Sequence, residues 1–223
     1  MRILVKVLKS VIALLVISYA VYFALNGPTI IKLFKQRKAS ASNTSSPAQQ
    51  TINQVSALPQ ATSTASRSEL EKLKAELAKQ FKNDFFYYPH LSITAPVEWD
   101  VPKYEVAKRL PDGLIQLSGT AEPEGNGDIL IAGHSSYYWW NKGKYKNIFA
   151  PLTQAKEGDG IIIRKRDITY FYKVSRVYQV GGNEGVTINV GGNYPKKVKL
   201  MTCVPIGTSL RRLIVEADFV RAI

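Results

Sequence analysis

The first patterned stretch of the chain is uniformly apolar, running from Val11 to Leu25 without a charge, and snorkelling of Lys6 and Lys9 toward headgroups would lengthen it. A short N-terminal membrane span is the expectation. Residues 20–27 hold no clean small-x-small cleavage site, so an uncleaved anchor is favoured over a signal peptide. From Ala39 to Arg67 the hydrophobic pattern disappears into Ser, Thr, Ala, Gln and Pro, a composition that cannot bury enough surface to order itself and reads as a flexible linker. Ser68-Glu69-Leu70-Glu71 then offers a capping box, and Leu70, Leu73, Leu77 and Phe81 fall on one helical stripe. This predicts an amphipathic helix over 68–83. It spans barely two heptads, so packing on a folded domain is expected ahead of a coiled coil.

After Pro89 the period shortens to that of strands, with glycine and proline between them. Candidate strands are 91–95, 114–118, 128–133, 160–164, 168–180, 197–202 and 212–217, and no later segment sustains a helical period. Gly181-Gly182-Asn183 and Gly191-Gly192-Asn193 read as turns. Two copies of that tripeptide are too few for an internal repeat. So many short strands are most economically closed into a small barrel, which hides their edges. The resulting division is an anchor with basic flanks over 1–38, a linker over 39–67, the helix over 68–83 and a mostly β domain over 84–223.

Charge changes this picture little once it is located. The net charge is +13, but Arg2, Lys6, Lys9, Lys32, Lys35, Arg37 and Lys38 carry seven of it around the apolar segment, with no acidic residue before Ala39. Residues 91–223 hold 18 basic and 13 acidic side chains. The excess is placed to meet anionic headgroups, and no nucleic-acid module is present. Basic residues stand on both sides of the apolar segment, so charge does not decide its orientation.

Chemistry gathers around the only cysteine, Cys203. A lone thiol has no disulfide partner within the chain and is by default a buried packing residue. Its neighbours change that reading. It ends a run in which Val198, Leu200 and Thr202 share one face and Lys199, Met201 and Cys203 the other. In the next strand Leu213, Val215 and Ala217 form the apolar face, which places Arg212 opposite them. Adjacent Arg211 is the one-residue alternative, which a bulge would select. His134 ends a third strand. Cysteine, histidine and arginine together can supply a nucleophile, a proton carrier and an anion stabiliser. The other histidine, His90, reads as structural or solvated.

Leu200-Met201-Thr202-Cys203, then Pro205, Gly207-Thr208 and Arg212-Leu213-Ile214-Val215, resembles the signature of sortases, membrane-anchored cysteine transpeptidases. Gly127 to Ser136 resembles the histidine segment of that family, and Phe149-Ala150-Pro151-Leu152 with Glu157-Gly158-Asp159 resembles the stretch that follows it. The matches span about residues 91–220. The resemblance implies a mostly β, eight-stranded barrel with short helices behind an N-terminal transmembrane helix and linker. It also implies that Cys203, His134 and Arg212 are catalytic. Cys203 would attack an LPXTG-like sorting signal and form a thioester, and an amine would resolve it. Implied partners are sorting-signal-bearing surface proteins or pilins, and an amine acceptor such as a lipid-linked peptidoglycan precursor or a pilin lysine. The catalytic domain would lie outside the cytoplasm on a single-pass anchor.

No cofactor or metal is expected, because the glycine-rich 181–192 region offers only Glu184 as a carboxylate. Glu98-Trp99-Asp100-Val101-Pro102 follows the first candidate strand, and no N-terminal lid is expected from it. Tyr137-Tyr138-Trp139-Trp140 either walls a peptide groove or anchors its loop to the core. Two other readings stand beside the transpeptidase. One is another exported cysteine peptidase, against which the absence of a Ser-His-Gly-Cys segment counts. The other is a degenerate barrel serving as a tethered binding module.

Overall fold

The computed structural model describes residues 12, 14–18, 67–137, 140 and 142–223. The linker and most of the anchor segment lie outside the described residues; Ile12 and residues 14–18 are helical and exposed. Among the described residues, no helix is long and apolar enough to cross a membrane.

Eight strands carry the domain: β1 (Phe85–Tyr88), β2 (Ile93–Val101), β3 (Leu114–Leu117), β4 (Asp128–Ala132), β5 (Gly160–Lys165), β6 (Ile168–Gly181), β7 (Lys197–Val204) and β8 (Arg211–Ala222). They close into a barrel in the order β1-β2-β3-β4-β7-β8-β6-β5, with β5 returning to β1. Two neighbouring pairs, β2 with β3 and β4 with β7, are parallel. The others are antiparallel. Phe86, Ile93, Ile129, Ile131, Ile161, Ile163, Tyr172, Val198, Leu200 and Val215 point inward into one continuous core, as period-two alternation requires.

The helix α1 (Arg67–Gln80) starts one residue ahead of the expected span and ends three short of it. Its Leu77, with Phe81 just beyond it, packs on Ile162 and Phe171, flanked by Tyr87, Val220 and Ile223. The helix therefore covers the outer face of β5, β6 and the last residues of β8. Phe171 pairs with Arg221, whereas Val180 pairs with Arg212 at the other end of β8, about 30 Å away at ordinary strand rise.

Two expectations are corrected. The first strand of the barrel is β1, which precedes Pro89, and the candidate strand 91–95 begins only at Ile93, because Leu91 ends a 3-10 turn over Pro89–Leu91. Glu98 to Val101 lies inside β2 rather than after it. A one-turn helix, α2 (Val106–Arg109), runs into a 3-10 turn at Leu110–Asp112 and covers an outer apolar patch made by Val101, Ile115 and Ala132.

Candidate active site

Three adjacent strands bring the chemistry together. The parallel β4–β7 register runs from Asp128 opposite Lys197 to Ala132 opposite Met201, and Gly133 N–H donates to Met201 O at 3.1 Å. Continued two residues past β4, that register sets His134 abreast of Cys203. On the other side of β7 the antiparallel ladder with β8 runs unshifted from Lys197–Asp218 to Val204–Arg211, with Cys203 directly opposite Arg212. No bulge intervenes between these two strands, so the alternation of faces holds to the strand ends. Val198, Leu200 and Val204 of β7 and Leu213, Val215 and Ala217 of β8 belong to the inner core, which leaves Cys203 and Arg212 on the outer face. His134 has the parity of Ala132, which lies in the outer cluster with Met201. Imidazole, nucleophile and guanidinium thus follow one another across the segment leaving β4, then β7 and β8, neighbouring chains spaced about 4.8 Å apart.

Local sequence explains why the histidine can sit there. A Cβ at Gly133 would approach Leu114 Cδ2 and Phe149 Cδ2 to 2.6 Å, so only glycine lets the end of β4 close on these core side chains. His134 O accepts from Phe149 N–H at 2.9 Å, and its ring stacks on Tyr137 with centroids 4.6 Å apart. Tyr137, from the aromatic cluster, therefore supports the imidazole. Tyr138 and Trp139 lie outside the described residues, and Trp140 is exposed. Burial holds the His134 pKa below its ordinary value, because a charged imidazolium would lose its hydration. At neutral pH the ring is neutral and able to take a proton. Its Nε2 is buried and has no hydrogen-bond partner among the described residues.

Cys203 is a free thiol at intermediate exposure. The residue before it, Thr202, is buried and donates through Oγ1 to Gly133 O at 2.8 Å, a side-chain tie between the residues that precede the thiol and the imidazole. After β7, Thr208 N–H and Oγ1 both bond to Pro205 O, at 2.9 and 2.8 Å, and shape a tight turn. Arg212 donates from a terminal guanidinium nitrogen to Ser209 O at 2.9 Å, which aims the side chain back over that turn. Arg211, opposite Val204, is exposed.

Sequence reasoning missed a charged pair beside this face. Lys199 Nζ lies 2.9 Å from Asp128 Oδ2 and donates to Thr187 O at 2.7 Å, with the two side chains 7% and 2% exposed. The same carboxylate oxygen accepts from Asn189 N–H and Nδ2, at 2.8 and 3.2 Å. The 182–196 connection is thereby tied down over β4 and β7. The only hint in the sequence was a lysine between Val198 and Leu200 in an otherwise apolar run.

His90 is bound to Asp159 at 2.8 Å, and Tyr88 donates to the same carboxylate at 2.7 Å. It braces the 3-10 turn at 89–91 against the approach to β5. Glu184 accepts from Gly181 N–H at 2.7 Å and closes its own turn. Among the described residues no three His, Cys, Asp or Glu side chains cluster as metal ligands.

Residues 87–220 match the family model described as a sortase domain. Sortase A from Corynebacterium diphtheriae (lid mutant) is 22% identical, covering 87% of this chain and 95% of that one, with a TM-score of 0.52. Sortase C1 from Streptococcus suis is 17% identical over 76% of this chain and 94% of that one, at 0.52. Sortase C1 from Streptococcus agalactiae is 21% identical over 78% and 86%, at 0.51. At these identities the likeness to the solved structures is one of fold. No curated protein matches the sequence.

Proposed function

This chain belongs to the sortase family, whose members are cysteine transpeptidases, and from that premise we propose that it is one itself, with Cys203 as nucleophile. The observation that carries the reading is the strand register, which sets Cys203 directly opposite Arg212 and, continued two residues past β4, brings His134 abreast of Cys203.

In this mechanism His134, kept neutral by burial, accepts the Cys203 proton as the sulfur attacks the carbonyl carbon of the scissile peptide bond. The carbonyl oxygen gains negative charge, and the Arg212 guanidinium, which cannot act as a base, stabilises it. Collapse of the tetrahedral intermediate breaks the C–N bond, and His134 returns the proton to the departing amine. The acyl group is then a thioester on Cys203. An incoming amine attacks it and loses its proton to His134. The thiolate leaves and is reprotonated, so one amide bond replaces another without net oxidation or added water.

The substrate in this reading is an LPXTG-like sorting signal on a surface protein or pilin, and the amine comes from a lipid-linked wall precursor or a pilin lysine. Residues 11–25 would anchor the chain in the cell membrane with the barrel on the extracytoplasmic side. About 28 linker residues have a root-mean-square span of roughly 30 Å, enough for the barrel to search the membrane surface. The test incubates full-length protein with LPXTG-like peptides and an amine, reading ligated product by mass spectrometry. Cys203-dependent ligation is expected; turnover unchanged in Cys203→Ala would remove the proposal.

A further inference from the structure

The side-chain hydrogen bonds Thr202–Gly133 and Ser136–Gly207 join the segment holding His134 to the segment holding Cys203, and they bracket both residues. The inner one is the buried Thr202 Oγ1 to Gly133 O bond, which precedes each of them. The outer one follows them: Ser136 Oγ accepts from Gly207 N–H at 2.9 Å. These partners lie 71 positions apart and belong to two different loops, those leaving β4 and β7. Neither loop is held to the other by a strand ladder at this point. The β4–β7 register ends at Ala132 with Met201 and is extended only by Gly133 N–H.

We propose that Ser136 is a positioning residue, whose hydroxyl clasps the Gly207 amide and thereby fixes the approach of the Cys203 thiol to the His134 imidazole. The proposal rests on the transpeptidase reading for its functional consequence. Its physical basis is the asymmetry of the two ties. The inner bond is shielded from water and anchored in strands, so it sets the separation of the two chains where they leave the sheet. The outer bond acts beyond the strand ends, two residues after His134 and four after Cys203. Gly207 has a φ of +89°, a conformation suited to glycine, which turns its N–H toward the other loop. Thr208, bonded twice to Pro205 O, keeps the turn compact so that holding Gly207 also holds the thiol end of the loop. The clasp is solvent-exposed and can exchange its partner for water, so the loops can part for a peptide and re-engage over it.

The test uses full-length protein in mild detergent with Ser136→Ala and Ser136→Thr. Gly207 amide exchange is read by NMR, and kcat is normalised to titrated Cys203 thiol. Loss of one modest hydrogen bond should speed Gly207 exchange and lower kcat by about threefold to tenfold each, with KM unchanged within about twofold. Ser136→Thr, which keeps the hydroxyl, should restore both. Gly207 exchange unaltered in Ser136→Ala would overturn the clasp, and faster exchange with wild-type kcat would overturn its positioning role. Failure of the threonine to rescue would overturn the role of the hydroxyl. If the wild-type chain ligates no peptide, the enzyme reading falls separately, and the clasp is then judged by iodoacetamide alkylation of Cys203. A similar fall in that rate in Ser136→Ala supports the proposal, and an unchanged or raised rate overturns it.

Discussion

Removing either partner of the Asp128–Lys199 pair should destabilise the barrel more than removing both. At 2.9 Å the gross attraction is about 6 kcal/mol at an effective dielectric of 20, but desolvating two nearly inaccessible ions costs several kcal/mol each. The intact pair therefore contributes little net stability. A single replacement leaves the other charge buried. Asp128→Leu strands the Lys199 ammonium beside Thr187 O, with Glu216 4.0 Å away, and should cost about 3–5 kcal/mol. Lys199→Met leaves the Asp128 carboxylate its two bonds from Asn189, so its cost should fall to about 2–3 kcal/mol. The double variant strands no charge and should lie within about 2 kcal/mol of wild type, making the pair non-additive by at least about 3 kcal/mol. Guanidinium unfolding of the full-length protein, followed by near-ultraviolet circular dichroism, measures all four corners of the cycle. Additivity within about 0.5 kcal/mol would refute the reasoning, because it would mean that neither charge depends on the other.

The remaining expectations concern the helix, the histidine and the arginine. Leu77→Ala should cost about 2–4 kcal/mol in thermal or chemical unfolding by opening a cavity between α1 and the barrel, while turnover per titrated thiol stays within about twofold, since Cys203 lies at the other end of the strands. His134 is harder to protonate folded than unfolded, so its contribution to stability is complete above about pH 6.5 and is lost as the pH falls through the depressed folded value. Between those two values the wild type should lose up to about 1.4 kcal/mol per pH unit relative to His134→Gln, and parallel stability curves for the two proteins would contradict this. Arg212→Ala should lower ligation about 10²- to 10³-fold, whereas Arg211→Ala should change it by less than about threefold; the reverse order would move the anion-stabilising role to Arg211.

The strand faces around the thiol were legible because β7 and β8 alternate cleanly, and the absence of a bulge between them let that alternation reach Cys203 and Arg212. Elements covered on both sides were not legible. In β1, Phe86 and Tyr88 enter the core while Tyr87 packs under α1, so four successive aromatic residues leave no period of two to detect. The extension of β8 past Ala217 is hidden for the same reason, since Phe219 packs on the core and Val220 on the helix cluster. The Asp128–Lys199 pair and the Ser136–Gly207 bond each join residues 71 positions apart, through the parallel adjacency of β4 and β7. No local pattern encodes that adjacency. His134 was recognisable by its place after β4, but the stacking of Tyr137 and the burial of Nε2 follow only from how the loop folds back.

The central claim is that Cys203 becomes acylated by a sorting-signal peptide. Mass spectrometry of full-length protein mixed with an LPXTG-like peptide, without an added amine and quenched in acid, tests it directly. The account predicts an adduct whose mass equals the N-terminal peptide fragment, localised to Cys203, released by hydroxylamine and depleted in His134→Ala. A wild-type protein that processes the peptide while the adduct forms elsewhere, or while Cys203→Ala processes it equally well, would contradict the account.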